Sequence, residues 1–417
     1  MASNQVNLVS HIDLKDFGEV CVVPGDINGD GQVEFVIPQG IDGPQRAAST
    51  GGYNHEKTIH CITAIDLEGN VLWQNGTPMG SEHRKYHGGS SVGPCLVQDL
   101  DGDSKAEVVY VSVDTAKPGV WLKLLRGEDG CPVAERQTGA CWSLFSADLR
   151  GMGAQRDIIV NDALTLHFAY SEDLTPIWEW KYIFGGGHEL TTGDVEGKGV
   201  DDLFIGACRL DAEGNRIWWR PDLDDAMEEM GRCPHVDHIK VHKLYHNSDD
   251  FQVLWFGGRD AVCLNASDGT ERWRLRGKHL QWHAVGHFDP NSPDQLVYVS
   301  EKSVAGASHM LRADGSCLWT KSLGRGRTFT VKGVGPAGSD LVLNYTPACG
   351  EKPYLMNHLG EKAVEFPLPG PATSEEEELY GADTGYGFRG QPCDVDGDGR
   401  DEIMFFNRRE LHVFKVV

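Results

Sequence analysis

The sequence predicts an all-β fold, a single β-propeller of eight blades over residues 1–417, because one strand–turn–strand phrase recurs along its whole length. The phrase stands clearly as VVPGDINGDGQVEFVIP from Val22, CLVQDLDGDSKAEVVYV from Cys95 and PCDVDGDGRDEIMFF from Pro392. Blurred copies lie between: SADLRGMGAQRDIIV, TGDVEGKGVDDLFIG, VGHFDPNSPDQLVYV and VGPAGSDLVLNY. A period of about 40–50 residues built from short strands means small sheets stacked in a ring. Finally, VNLVSHIDL precedes the first Asp turn with nothing before it to pair with, so it is expected to join the last blade and close the ring.

Aligning each copy on the first residue of its turn gives anchors at Asp26, Asp99, Asp148, Asp194, near His242, Asp289, Gly335 and Asp394, which is eight units. Seven blades remain open if one weak unit is an elaboration. A later turn opens a fourth strand in several units, as in DLEGNVLW, DAEGNRIWW, ASDGTERW and RADGSCLW. Trp73, Trp218, Trp273 and Trp319 in these turns read as packing between neighbouring sheets.

With 62 Asp and Glu against 38 Lys and Arg, the formal charge of −24 makes nucleic acid or an anionic membrane a poor partner. No run reaches the ~18 apolar residues that span a bilayer. The N-terminal residues lack the pattern of a signal peptide, which suits a cytoplasmic protein or a secreted one given without its leader. Sequons at Asn75, Asn265 and Asn344 suit the secreted reading. Cys21, Cys61, Cys95, Cys208, Cys263, Cys317 and Cys393 lie in strand-like runs and are expected to be small core residues, or partly paired. A monomer is expected.

Three Asp turns place oxygen ligands at alternate positions, a Gly at the bend and a carboxylate at the ninth place, which suits calcium. Their residues are Asp26, Asn28, Asp30 and Glu34; Asp99, Asp101, Asp103 and Glu107; and Asp394, Asp396, Asp398 and Glu402. The metal is expected to be structural. The bland alternative is an Asx-turn satisfied by its own amides.

In a propeller the first strand of each blade lines the channel. Six residues before the anchors stand Trp142, His188, His283 and Phe388. Around that level lie His83, Tyr86 and His87, then Glu189, Arg232, His235, Asp237 and His238, and then Trp282, Arg327, Tyr386 and Arg389. The ring is expected to gather them on one face. No G-x-S-x-G, H-E-x-x-H, P-loop or dinucleotide fingerprint is present, and no redox cofactor is called for. A basic, imidazole-rich site in an acidic protein suits an anionic uronic-acid polysaccharide cleaved by β-elimination. In that reading Arg327 or Arg389 grips the carboxylate, His188 or His87 is the base, and His238, His283 or Tyr86 is the donor or a second clamp. Trp142 and Trp282 stack on sugar faces, and Arg46 stands at the rim.

These repeats and this mouth resemble the propeller polysaccharide lyases, the group holding rhamnogalacturonan and ulvan lyases. The chain looks most similar to the fungal L-rhamnose-α-1,4-D-glucuronate lyases that trim gum arabic. The resemblance implies a His base, a charge-neutralising partner and, at its closest, exolytic release of rhamnose. An endo-acting lyase and a non-catalytic binding propeller are the competing readings.

Overall fold

The computed structural model describes residues 5–19, 21–42, 57–79, 95–113, 117–139, 142–161, 166–181, 187, 189–223, 236–302, 306–323, 328–345, 351–369 and 388–417. Strands β1 to β32 form eight four-stranded antiparallel sheets, the blade arrangement of a β-propeller. Seven of the sheets run in chain order: β2–β5, β6–β9, β10–β13, β14–β17, β18–β21, β22–β25 and β26–β29. The eighth has the order β1-β32-β31-β30, so β1 (Val6–Asp13) is the outer strand beside β32 (Glu410–Val416). This bears out the predicted blade number and the N-terminal closing strand.

The chain falls into two compact units. Lys15–Lys240 with Ser267–Gly269 holds the four sheets from β2 to β17 and the start of β18; Met1–Leu14, Val241–Ala266 and Thr270–Val417 hold the rest. The second strand of each sheet is buried along its length, as in EVVYVSV, DIIVN and EIMFF, because both of its faces are covered. Outer strands alternate or face solvent, as PVAERQT does.

Every predicted anchor follows the first strand of a blade. There the Asp turn is consumed by backbone hydrogen bonds. The carboxylate of the anchor receives amides across its own turn, as Asp26 does from Gly29 at 2.6 Å and Gly31 at 2.9 Å. A second carboxylate, at the start of the next strand, receives the amide just after the anchor: Glu34 from Ile27, Glu107 from Leu100, Asp157 from Leu149 and Glu402 from Val395, at 2.8–3.0 Å. In the fifth blade Gln252 serves Leu244 in the same way at 2.9 Å.

Turns of neighbouring blades are clasped as well. Ala106 N–H donates to the Asp26 carbonyl at 2.8 Å, Asp201 to Asp148 at 2.7 Å, Gln295 to Leu244 at 3.0 Å, Asp340 to His287 at 3.0 Å and Asp401 to Lys332 at 3.3 Å. Asp201, Asp340 and Asp401 return the bond by accepting from the Asp148, His287 and Lys332 amides at 2.7–2.9 Å. In the fifth, sixth and seventh blades this register puts the working turn at Leu244, His287 and Lys332, a few residues off the predicted anchors.

The tryptophans make a second inter-blade contact. Trp73, Trp273 and Trp319 donate Nε1–H to the Gly127, Ala313 and His358 carbonyls at 2.6–2.9 Å, and Trp178 does so to Ala212. Each ring lies on a left-handed turn glycine of the next blade. A Cβ at Gly130 (φ +69) would stand 2.6 Å from Trp73, and one at Gly315 (φ +82) 2.5 Å from Trp273. Trp218 sits over Gly269 in the same manner.

Two cysteine and sequon expectations change. All eight cysteines in the described residues are free, and Cys317 is exposed, its Sγ against the Trp319 carbonyl, because it stands on an outer strand. Asn344 is fully buried and donates to Tyr354 Oη, so its sequon cannot be reached in the folded chain.

Replacing a clasp carboxylate tests this scaffold. Asp340→Ala removes the acceptor of both the His287 and the Gly333 amides. The expected cost is about 2–3 kcal/mol in urea unfolding, with Asp340→Asn losing less. A loss under about 0.5 kcal/mol would show that the clasp contributes little.

Candidate functional site

The first strand of a blade ends at its Asp turn, so its start lies at the opposite end of the sheet, together with the chain between the second and third strands. The long connections 43–56, 80–94, 182–186, 224–235 and 370–387 are flanked by described strand ends at this side of their sheets. Tight turns occupy one end of each sheet, and the longer connections join the strands at the other.

In the unit Lys15–Lys240, three first strands are tied together at this end. Trp142, just ahead of β10 (Ser143–Ala147), donates its backbone N–H to the Asn161 carbonyl at 2.7 Å. Asn161 is buried and donates its amide to the Gly187 carbonyl at 3.1 Å. Gly187 has φ +88, and a Cβ there would meet the Val236 backbone at 2.3 Å. The glycine of GGGHE is therefore required for close approach, and it brings the entry of β14 (Leu190–Gly193) against that of β18 (His238–His242).

That approach assembles a charged group. His238 Nδ1 stands 3.1 Å from Glu189 Oε2, and Lys240 Nζ stands 3.4 Å from the same oxygen. His238, Lys240 and His242 share one face of β18 by strand alternation, while Ile239 is buried on the other. Glu189 thus lies on the Nδ1 side of His238. Asp237 is buried beside them. Lys240 was not singled out in the sequence; the alternation H-I-K-V-H in a channel-lining strand is the signal that points to it.

In the other unit His283 lies in the interior of β22 (Leu280–Gly286), paired with Val299. It is 9% exposed and stacks on Phe256 at 4.4 Å, with His242 edge-on at 6.3 Å. The expected position at the strand's entry is corrected by the shifted turn of the sixth blade: His283 is a buried ring inside its sheet. Trp282 is half-buried in the same strand, and Arg389, also half-buried, opens β30 (Arg389–Cys393) opposite Phe406. Phe388 packs on His412 at 5.4 Å. His83, Tyr86, His87, His188, Arg46, Arg232, His235, Arg327 and Tyr386 lie outside the described residues.

The three acidic loops differ despite their similar sequences. In the second, Asp99, Asp101 and Glu107 bring carboxylate oxygens within 4.8 Å of one another. Burial, reinforced by the Asp101 and Asp103 charges, pushes Glu107 up to about 7. In the last, Asp394, Asp396 and Glu402 also converge, but Lys415 Nζ stands 2.8 Å from Asp398 and 3.2 Å from Glu402. An internal ammonium there takes the place a cation would fill. In the first, Asn28 donates its amide to Glu34 at 2.9 Å and to Asp30 at 3.1 Å, so the loop is satisfied by its own groups.

No family model matches the chain. It is 24% identical over 330 residues to the rhamnogalacturonan endolyase YesW of Bacillus subtilis, covering 66% of this chain and 51% of that protein. It is 21% identical over 376 residues to the rhamnogalacturonan exolyase YesX of the same organism, covering 72% and 60%. The chain thus spans roughly half to three-fifths of the length of these curated relatives. The crystal structure of YesX superposes with a TM-score of 0.68 at 16% identity, over 100% of this chain and 75% of that one. The Vibrio cholerae biofilm matrix protein Bap1 superposes at 0.60 and 12% identity, over 99% and 91%. The curated relatives are polysaccharide lyases, and the fold is the propeller that they share with Bap1.

Proposed function

We propose that the chain is a polysaccharide lyase that cleaves an acidic, rhamnose-containing polymer by β-elimination. The observation that carries this is the Glu189–His238–Lys240 group at the entry of β14 and β18, in a chain whose relatives are named rhamnogalacturonan lyases. A uronate is the substrate that such a group suits. Its C5 proton becomes acidic only when the neighbouring carboxylate is neutralised, and Lys240, 40% exposed, can turn its ammonium toward that carboxylate.

His238, whose Nδ1 stands 3.1 Å from Glu189, is the imidazole of this group suited to proton transfer. The base takes the C5 proton, the C4–O4 bond breaks as the C4–C5 double bond forms, and O4 receives a proton. His188 or His87 as base and Arg327 or Arg389 as clamp remain part of the proposal. The finer reading is exolytic release of L-rhamnose from rhamnosyl-α-1,4-glucuronate. Rhamnogalacturonan cleavage is favoured over it by the relatives' names.

Incubation with rhamnogalacturonan, gum arabic and ulvan is expected to raise absorbance near 235 nm, the signature of the unsaturated uronate. Free rhamnose from gum arabic would select the finer reading. No absorbance on any of them would leave a binding propeller. His238→Ala is expected to lower turnover at least about 100-fold with unchanged circular dichroism, and Lys240→Ala to lower kcat and kcat/KM together. Wild-type turnover in His238→Ala would remove that residue from the chemistry.

Calcium in the second loop is proposed as structural, held by Asp99, Asp101 and Glu107. Glu107 is raised above its unfolded value, so without metal it favours folding at low pH and opposes it as pH rises from 4.5 toward 7. Chelated protein is therefore expected to lose roughly 2–3 kcal/mol across that window, and calcium to restore it. Glu107→Gln should abolish both the pH loss and the calcium response. A calcium response that survives this substitution would place the ion elsewhere.

A further inference from the structure

The closing pair of strands carries a group of metal-type donors that shares no residue with the acidic loops. In the register of β1 with β32, His11 stands opposite His412 and Asp13 opposite Glu410. Glu410 and His412 are two residues apart on one strand and share a face. His11 Nε2 and His412 Nε2 both stand 3.1 Å from the single oxygen Glu410 Oε2. The bond from His11 is well formed, whereas His412 Nε2 is buried and has no hydrogen-bond partner of good geometry.

Packing fixes part of this arrangement in advance. The His412 ring is 12% exposed, with Phe388 edge-on at 5.4 Å and Phe414 stacked at 6.0 Å. Both Phe side chains are buried, so the ring is held with its nitrogen toward Glu410. His11 stacks on His412 at 4.3 Å and is 51% exposed, which leaves it free to rotate into the plane that a common ion requires.

We infer that His11, Glu410 and His412 form a binding site for a divalent transition metal of the zinc type, which staples the first strand of the chain to the last. Two imidazoles and one carboxylate select zinc over calcium, which prefers all-oxygen ligands. Ligands about 2.0–2.1 Å from a tetrahedral ion lie roughly 3.3 Å from one another. The 3.1 Å separations from Glu410 Oε2 are close to that edge, and the rearrangement needed is the rotation of the exposed His11 ring out of its stack on His412. The exposed side of His11 leaves a fourth position for water. An ion there also relieves the opposition of Asp13 and Glu410, two acids placed directly across the strands. The site binds only the folded chain, since its donors are about 400 residues apart, so metal binding adds directly to the stability of strand closure.

The test uses the whole protein, stripped of metal and then kept in excess calcium so that carboxylate-only sites do not compete for the added metal. Titration with zinc chloride is expected to give one zinc per chain. At zinc about 100-fold above Kd the melting temperature should rise about 3 °C. Cobalt chloride should give the visible absorption of a tetrahedral site with nitrogen and oxygen ligands. His11→Ala, at an exposed position, should keep its metal-free melting temperature, weaken zinc at least tenfold and cut the zinc-induced shift by about half or more. Glu410→Gln, which keeps the side chain's shape, should do the same. No zinc binding at millimolar metal would overturn the inference, as would affinity unchanged in both variants. Neither result bears on lyase activity, which is read separately by absorbance.

Discussion

The clasp between the turns of successive blades is the constraint on which the rest of the molecule depends. A four-stranded sheet has two faces and two open edges, and cannot satisfy itself alone. Here the turns at Asp148, His287 and Lys332 each offer a carbonyl and an amide, and the following blade meets them with the backbone and carboxylate of one residue. Asp201, Asp340 and Asp401 do this by accepting one bond and donating another. Burial raises Asp201 and Asp401, so desolvation outweighs the hydrogen bonds that favour their charge. The scaffold accepts that cost because an unpaired buried amide would cost more.

This use of the turns divides the sheets by role. The end carrying the Asp turns is filled by hydrogen bonds within and between blades, and the tryptophans of the outer strands cover the glycine turns beside it. Many polar side chains at that end are spent on the turns themselves. Chemistry is left to the other end, where first strands begin. The Gly187 approach illustrates how the scaffold reaches it: one residue without a Cβ lets two entries touch, and Glu189 and His238 become neighbours although they are 49 residues apart.

How much of this the sequence disclosed follows from the length scale of each signal. The blade number was legible because an Asp turn is local, its carboxylate binding amides only a few residues away. Blades five to seven were displaced because they keep the clasp but spend different residues on it, with Gln252 standing where other blades have an acid. That same shift misplaced His283, which was counted from Asp289 when the working turn is at His287. The seats of Trp73, Trp273 and Trp319 were legible as a type of contact, but their partners belong to the next blade and no local pattern names them. The His238–Glu189 pair was within reach, since both had been placed at one level. Lys240 was missed because a lysine in a strand reads as solvated until its neighbours are known.

The acidic loops show how closely similar sequences reach different electrostatic ends. All three converge carboxylates and must find positive charge or hydrogen-bond donors for them. The first uses the amide of Asn28, where the other two have an Asp, so a single atom exchange turns a ligand into a donor. The last borrows Lys415 from the final strand, whose ammonium is pushed up by Asp396 and Asp398 and is thereby held charged. The middle loop has neither device. Its nearby Lys105 is drawn away to Glu128 at 2.8 Å, and Glu107 faces the Asp101 and Asp103 charges with backbone amides, Leu100 first among them, in return. Charge that is balanced internally in two of these loops is therefore left with less compensation in the remaining one, and the raised Glu107 is the sign of it.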